Sequence, residues 1–178
     1  MPRLVVLAGL PAAGKSTIAR ELAGRMGALW LRIDSMDRAI WASGTAPEDL
    51  QDWTYRAAQA VAEDNLRLGR DVIADAVNDW KEARDAWAEA GRRAGAEVVF
   101  IEIVCSDPAE HRQRVESRAS DLPGLRLPGW DAVASRDDRP WDRERHVIDT
   151  AGRGAGEGVK AALAILARPA GVAVRHEE

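Results

Sequence analysis

The chain has one cysteine, one phenylalanine and one tyrosine, and only three of its 25 Lys and Arg residues are lysine. Cys105 has no second thiol to pair with, which rules out an internal disulfide and suits a reducing, cytoplasmic setting. It closes an apolar run and reads as a small buried hydrophobe. No apolar stretch approaches the roughly 18 residues that would span a bilayer. The first residues run straight into a strand-like segment, so neither a signal peptide nor a membrane partner is expected. Basic excess is missing too: the net charge is −4, which offers no general attraction to nucleic acid. Repeats, low-complexity tracts and linkers are absent from the 178 residues, a length that suits one domain with a full core.

What is present is ordinary for a globular protein, 46% hydrophobic and 30% charged, apart from seven tryptophans. Strand-like and helix-like segments alternate, which predicts an α/β fold with a parallel sheet covered by helices. Strands are expected at about 3–8, 28–33, 71–74, 97–104 and 146–148. Helices are expected from Lys15 to Met26, after Asp34 to Trp41, and from Thr45 or Pro47 to Leu68. Further helices are expected at 80–94, from Asp107-Pro108 to Arg118, near 131–136 and at 155–167. Leu50, Trp53, Ala57, Val61 and Leu68 lie near one face of the third of these helices. Val172–Val174 could add an edge strand. Between 120 and 141, Pro123, Gly124, Pro128 and Gly129 break regular structure.

The stretch that dominates the reading is Gly9-Leu10-Pro11-Ala12-Ala13-Gly14-Lys15-Ser16-Thr17. It fits G-x-x-x-x-G-K-[ST], the Walker A phosphate loop, and it lies between a strand and a helix as that loop must. The glycines permit close approach, successive N–H groups form an anion nest, and the helix start adds positive charge. Lys15 can then reach β- and γ-phosphates, Ser16 can ligate Mg²⁺, and Thr17 can contact the α-phosphate. ATP and Mg²⁺ are the cofactors this implies.

Ligands of open α/β sheets bind beyond the carboxyl ends of the strands, and three such ends carry Asp34, Asp75 and Asp149. Asp34 is placed to accept the proton of an attacking hydroxyl. Arg38, a turn later, could orient an acceptor or pair with Asp34. Asp75 could hold the Mg²⁺ shell or touch the acceptor. Ala76 follows it where many motor ATPases carry a water-activating glutamate. Asn78 could bond the acceptor, and Arg84 could reach the cleft or form a helix salt bridge. Arg112, Arg114 and Arg118 precede the Pro/Gly-rich loop. Arg114 and Arg118 could close over the phosphates, or the group could be a solvated helix face. Trp41, Trp53 and Trp80 could wall the acceptor pocket or belong to the core.

With these motifs the chain resembles the small P-loop kinases grouped with chloramphenicol phosphotransferase, gluconate kinase, adenylylsulfate kinase and the polynucleotide 5′-kinases. The marks are the phosphate loop, Ile33-Asp34-Ser35-Met36, Val72 to Asn78, His111 to Arg118, and Val147-Ile148-Asp149-Thr150. The resemblance covers nearly the whole chain. It implies a three-layer P-loop NTPase fold with a five-stranded parallel sheet of order 2-3-1-4-5 and a small lid at about 112–141. It implies Asp34 as base or acceptor anchor, Arg114 and Arg118 as lid arginines, and Asp149-Thr150 and the loop at Arg153 near the adenine. Polynucleotide kinases carry an arginine three positions after the acidic residue; here that position is Asp37 and the arginine is Arg38.

The expected activity is therefore transfer of the ATP γ-phosphate to a hydroxyl of a small molecule: an antibiotic, a sugar acid or a nucleoside. The competing readings are a polynucleotide or tRNA 5′-hydroxyl kinase and an ATP-binding switch acting on a protein partner.

Overall fold

A computed structural model of the protein describes residues 1–46, 52–122, 124, 127–136 and 141–167. Its centre is β1 (Arg3–Ala8), buried along nearly its whole length. Around it lie β2 (Leu29–Arg32), β3 (Val72–Asp75), β4 (Glu97–Val104) and β5 (His146–Asp149), all parallel, in the order β2-β3-β1-β4-β5. The helices are α1 (Lys15–Met26), α2 (Ile33–Trp41), α3 (Trp53–Arg67), α4 (Lys81–Arg93), α5 (Pro108–Ser117), α6 (Trp130–Ala134) and α7 (Ala155–Leu166).

Alternation along β1 divides the core into two layers. Val5 and Leu7 point to one face, where Ile18 and Leu22 of α1 meet Val159 and Ala162 of α7. Leu4 and Val6 point to the other, against Ala58, Ala62 and Leu66 of α3 and Trp87 of α4. With helices on both faces the fold has three layers. All four strands beside β1 run with it, so their carboxyl ends, and the loops after them, gather at one edge of the sheet.

Local signals set several boundaries as expected. Asp107 caps α5 by accepting from the Ala109 and Glu110 N–H groups at 2.8 and 3.1 Å, with Pro108 in the first turn. Gly27 stops α1 in a left-handed conformation, its N–H bonded to the Ala23 carbonyl.

Other expectations are corrected. β2 ends at Arg32, opposite Asp75, because its one partner strand, β3, ends there. Asp34 therefore stands in the first turn of α2 and not at a strand end. The buried face of α3 is Thr54, Ala58, Gln59, Ala62, Glu63 and Leu66, whereas Trp53, Val61 and Leu68 are exposed. Small alanines win the inner face because α3 packs closely on the sheet. Glu63 is tolerated there because Arg93 of α4 reaches it at 2.7 Å and Arg67 also pairs with it. Cys105 is only partly buried. Leu50 and the Val172–Val174 strand lie outside the described residues, and α3 begins at Trp53. Among the described residues no helix is long and apolar enough to cross a membrane.

Candidate active site

The loop after β1 is shaped by two glycines. Gly9 has φ +130°, and a Cβ there would lie 2.1 Å from the Ile103 carbonyl oxygen, so no other residue fits without moving β4. Its N–H donates to the Val77 carbonyl at 3.0 Å, tying the loop to the end of β3. Gly14, at φ +102°, turns the chain into α1. Lys15, the first residue of α1, is buried, and its ammonium donates to the Leu10 carbonyl at 2.8 Å. Burial lowers its pKa to about 8, with the charges of Asp75 and Asp34 opposing the drop. A cation held in this state is poised to gain from an incoming phosphate.

Lys15 opens into a cleft of about 590 Å³. Pro11, Ala12, Gly14, Ser16 and Thr17 line it together with Asp34, Asp75, Arg114, Arg118, Thr150 and Arg153. Asp75 is nearly buried; Ser16 and the Trp30 indole N–H (3.2 Å) bond to its carboxylate, while burial raises its pKa. Asp34 is exposed at the cleft wall. Arg114 is fixed by bonds to the Thr150 hydroxyl and carbonyl, both 2.8 Å, and to Glu110 at 2.6 Å. Thr150 in turn donates toward the carbonyls of Ala13 at 3.0 Å and Val104 at 2.9 Å. Arg118 follows α5 in an extended conformation, so it does not share a helical face with Arg114, yet both line the cleft.

Three buried N–H donors have no hydrogen-bond partner among the described residues: Arg32 Nε, Trp41 Nε1 and Arg118 Nε. All three belong to residues that line this cleft. Buried orphan donors are rare and costly. Among the described residues no group of three or more His, Cys, Asp or Glu could hold a metal alone. A cation at Ser16 and Asp75 would take its remaining ligands from phosphate and water, which is the habit of Mg²⁺.

The remaining expected site residues do not line this cleft, although Asn78 and Arg84 line a second cavity beside it. Arg38 lines neither this cleft nor the cavity beside it. Asn78 is wholly buried at φ +50°; its amide donates to the Leu7 carbonyl at 2.7 Å and accepts from the Trp87 indole at 3.0 Å. Its side chain thus holds the loop after β3. Arg84, only 1% exposed, pairs with Asp142 at 3.1 Å and donates to the Asn78 carbonyl at 3.3 Å. Asp149 also leaves the expected shared site: it accepts from the Ser106 and Ala151 N–H groups, both 3.0 Å, and from the Ser106 hydroxyl. Trp41 walls the cleft, Trp53 is exposed, and Trp80 packs edge-on against Tyr55.

Sequence reasoning missed His111, Arg32 and Arg136. His111 meets the Pro11 carbonyl at 2.9 Å and stands edge-on to Trp130. Arg32 grips Asp121 through two bonds of 2.7 and 2.8 Å. Arg136 lines the cleft beyond α6. The only sequence signal was a histidine on the helix of the arginines.

Comparison places these features among known folds. A candidate kinase from Chloroflexus aurantiacus j-10-fl is similar with a TM-score of 0.74 and 20% identity, over 93% of this chain and 96% of that one. A gluconokinase from Sinorhizobium meliloti 1021 gives 0.61 and 17%, over 93% and 92%. The APS kinase CysC of Mycobacterium tuberculosis, in complex with AMPPNP and APS, gives 0.63 and 17%, over 93% and 97%. At these identities the likeness is one of fold, the three-layer P-loop NTPase fold. No curated protein matches the chain. Residues 4–126, which hold the phosphate loop, Asp34, Asp75, Arg114 and Arg118, match the AAA domain family, and the chain belongs to that family.

Proposed function

We propose that the protein is an ATP- and Mg²⁺-dependent phosphotransferase that moves the γ-phosphate to a hydroxyl of a small molecule. The observation that carries this reading is the convergence of Lys15, Ser16, Asp75, Asp34 and Arg118 on one cleft. The named activities of its structural neighbours, a gluconokinase and an APS kinase, support it, and the second of these was solved with an ATP analogue.

Magnesium at Ser16 and Asp75 would neutralise charge on the β- and γ-phosphates. Lys15 binds the same oxygens, and Arg118 meets charge that develops in the transition state. Asp34 takes the acceptor hydroxyl proton as the new O–P bond forms. The bond from the γ-phosphorus to the β–γ bridging oxygen breaks, and ADP leaves with its electron pair. Arg114, Thr150 and Arg153 stand on the wall that would face the nucleotide base and sugar. The segment at about 112–141 acts as a lid, held to β2 by the Arg32–Asp121 pair. Small acceptors, not nucleic acid, are the expected partners, and the cytoplasm the expected setting.

The test is ADP release from wild type and Lys15→Ala across a panel of hydroxylated acceptors. One acceptor should raise a low background in the wild type, and Lys15→Ala should lose at least about 100-fold. A folded Lys15→Ala variant with wild-type turnover would remove the reading.

A further inference from the structure

A second cavity, of about 440 Å³, lies beside the cleft across the phosphate loop. Its walls include Gly9 and Leu10 of the loop, Asp79 after β3, the end of β4, and Trp141. That volume lies in the range of small-molecule sites. Val77 and Arg136 stand in the walls of both spaces. The Lys15 ammonium, of a residue that lines the cleft, bonds to the carbonyl of Leu10, a residue that lines the cavity.

The charges around the cavity are mostly spent. Arg84 is paired with Asp142, and Glu102 is paired with Arg145. The two arginines also stack over Trp141, at 4.7 and 4.8 Å from its ring centre. His111 is bound to the Pro11 carbonyl. Among the described residues Asp79 and Arg136 keep no ion-pair partner. Arg136 stands at the shared wall, where its charge acts on Lys15, so it belongs to the phosphate end. Away from that end, the charge left without an ion-pair partner among the described residues is the Asp79 carboxylate. Beside Asp79, the Tyr55 hydroxyl is raised above its ordinary pKa mainly by burial, and the charges of Asp79, Asp37 and Asp34 add to the effect.

We propose that this cavity is the acceptor site, with Asp79 as its anchor. It takes a neutral or cationic hydroxylated molecule, such as a neutral sugar, a cyclitol or an amino sugar, and turns away sugar acids and phosphorylated acceptors. The proposal rests on the phosphotransferase reading. An anion placed here would face an unpaired carboxylate, while a hydroxyl or ammonium group gains a charge-assisted bond to it.

The experiment measures ADP release with neutral acceptors (glucose, myo-inositol), amino acceptors (glucosamine, 2-deoxystreptamine, kanamycin) and anionic acceptors (gluconate, glucose 6-phosphate, AMP). Wild type is compared with Asp79→Asn and with Trp41→Ala, which alters the neighbouring cleft. Titration with a non-hydrolysable ATP analogue runs alongside. Cys105, the sole cysteine, lines the cavity and reports occupancy through its rate of labelling by N-ethylmaleimide.

A neutral or amino compound should be phosphorylated and should slow the labelling. Asp79→Asn should raise its KM by about tenfold or more, with kcat and analogue affinity little changed, the sign of lost uniform binding. The proposal falls if an anion is the best acceptor. It falls equally if acceptor KM responds to Trp41→Ala and ignores Asp79→Asn, or if the analogue binds while no neutral or amino compound is phosphorylated or protects Cys105. Failure of the wild type to bind the analogue is a separate result, and it removes the phosphotransferase reading itself.

Discussion

Lys15 carries a pH dependence that can be signed. Its ammonium has a pKa of about 8 in the free protein, lowered by burial. A bound phosphate adds negative charge and raises that value, so binding above pH 8 must take up a proton. Nucleotide affinity should be full below about pH 8 and fall by roughly tenfold per pH unit above it, until the pKa of the complex is reached. Titration of an ATP analogue between pH 7 and 9.5 checks this, and a flat profile would contradict it. Asp34 behaves differently. Asp34→Asn should cut turnover by roughly 10²–10⁴-fold and spare nucleotide affinity, because it acts on the acceptor proton; parallel loss of both would assign Asp34 to the nucleotide or the fold. At Gly9, alanine would need both a rare φ and room that the Ile103 carbonyl occupies. Gly9→Ala should cost about 2–4 kcal/mol in urea unfolding and abolish nucleotide binding. The loop was legible because its chemistry is written in nine consecutive residues. The contact of His111 with Pro11 and the pairing of Arg32 with Asp121 were not, since each joins residues far apart in sequence.

Among the elements, α3 shows where periodicity misleads. Trp53, Ala57, Val61 and Leu68 form an apolar stripe at helical spacing, and the structure exposes Trp53, Val61 and Leu68. The buried stripe is smaller and more polar because closeness to the sheet and the Glu63–Arg93 pair decide the rotation of the helix. Val61→Glu should therefore change stability by less than about 0.5 kcal/mol, while Ala62→Asp should cost about 3–5 kcal/mol by burying an unpaired charge. Urea midpoints of the two variants test the orientation directly. The loop after β3 shows the matching limit for polar residues. Asn78 and Arg84 have the chemistry of ligand binders, but only the folded chain reveals that Leu7, Trp87 and Asp142 already occupy them. β4 and α7, continuous and strongly apolar, were legible to within a residue.

For the whole molecule, alternation of strand and helix was enough to predict a parallel sheet with helices on both faces, while strand order came from family resemblance. Spent charges, shared walls and orphan donors are properties of the assembled sheet edge and have no counterpart in a linear pattern. A ligand that binds only this assembled edge must stabilise the fold: an ATP analogue at about 100 times its Kd should add about 2.7 kcal/mol to unfolding, and Lys15→Ala should lose most of that gain. The order of the strands also governs synthesis. β1 is made first, yet its sheet neighbours are β3 and β4, and Gly9 is seated against Ile103. The phosphate loop therefore leaves the ribosome long before the strand that shapes it. Nascent chains that end before Glu97 should expose β1 to chaperones and fail to retain nucleotide, whatever their Walker residues, and nucleotide retention should begin only after β4 has emerged and paired.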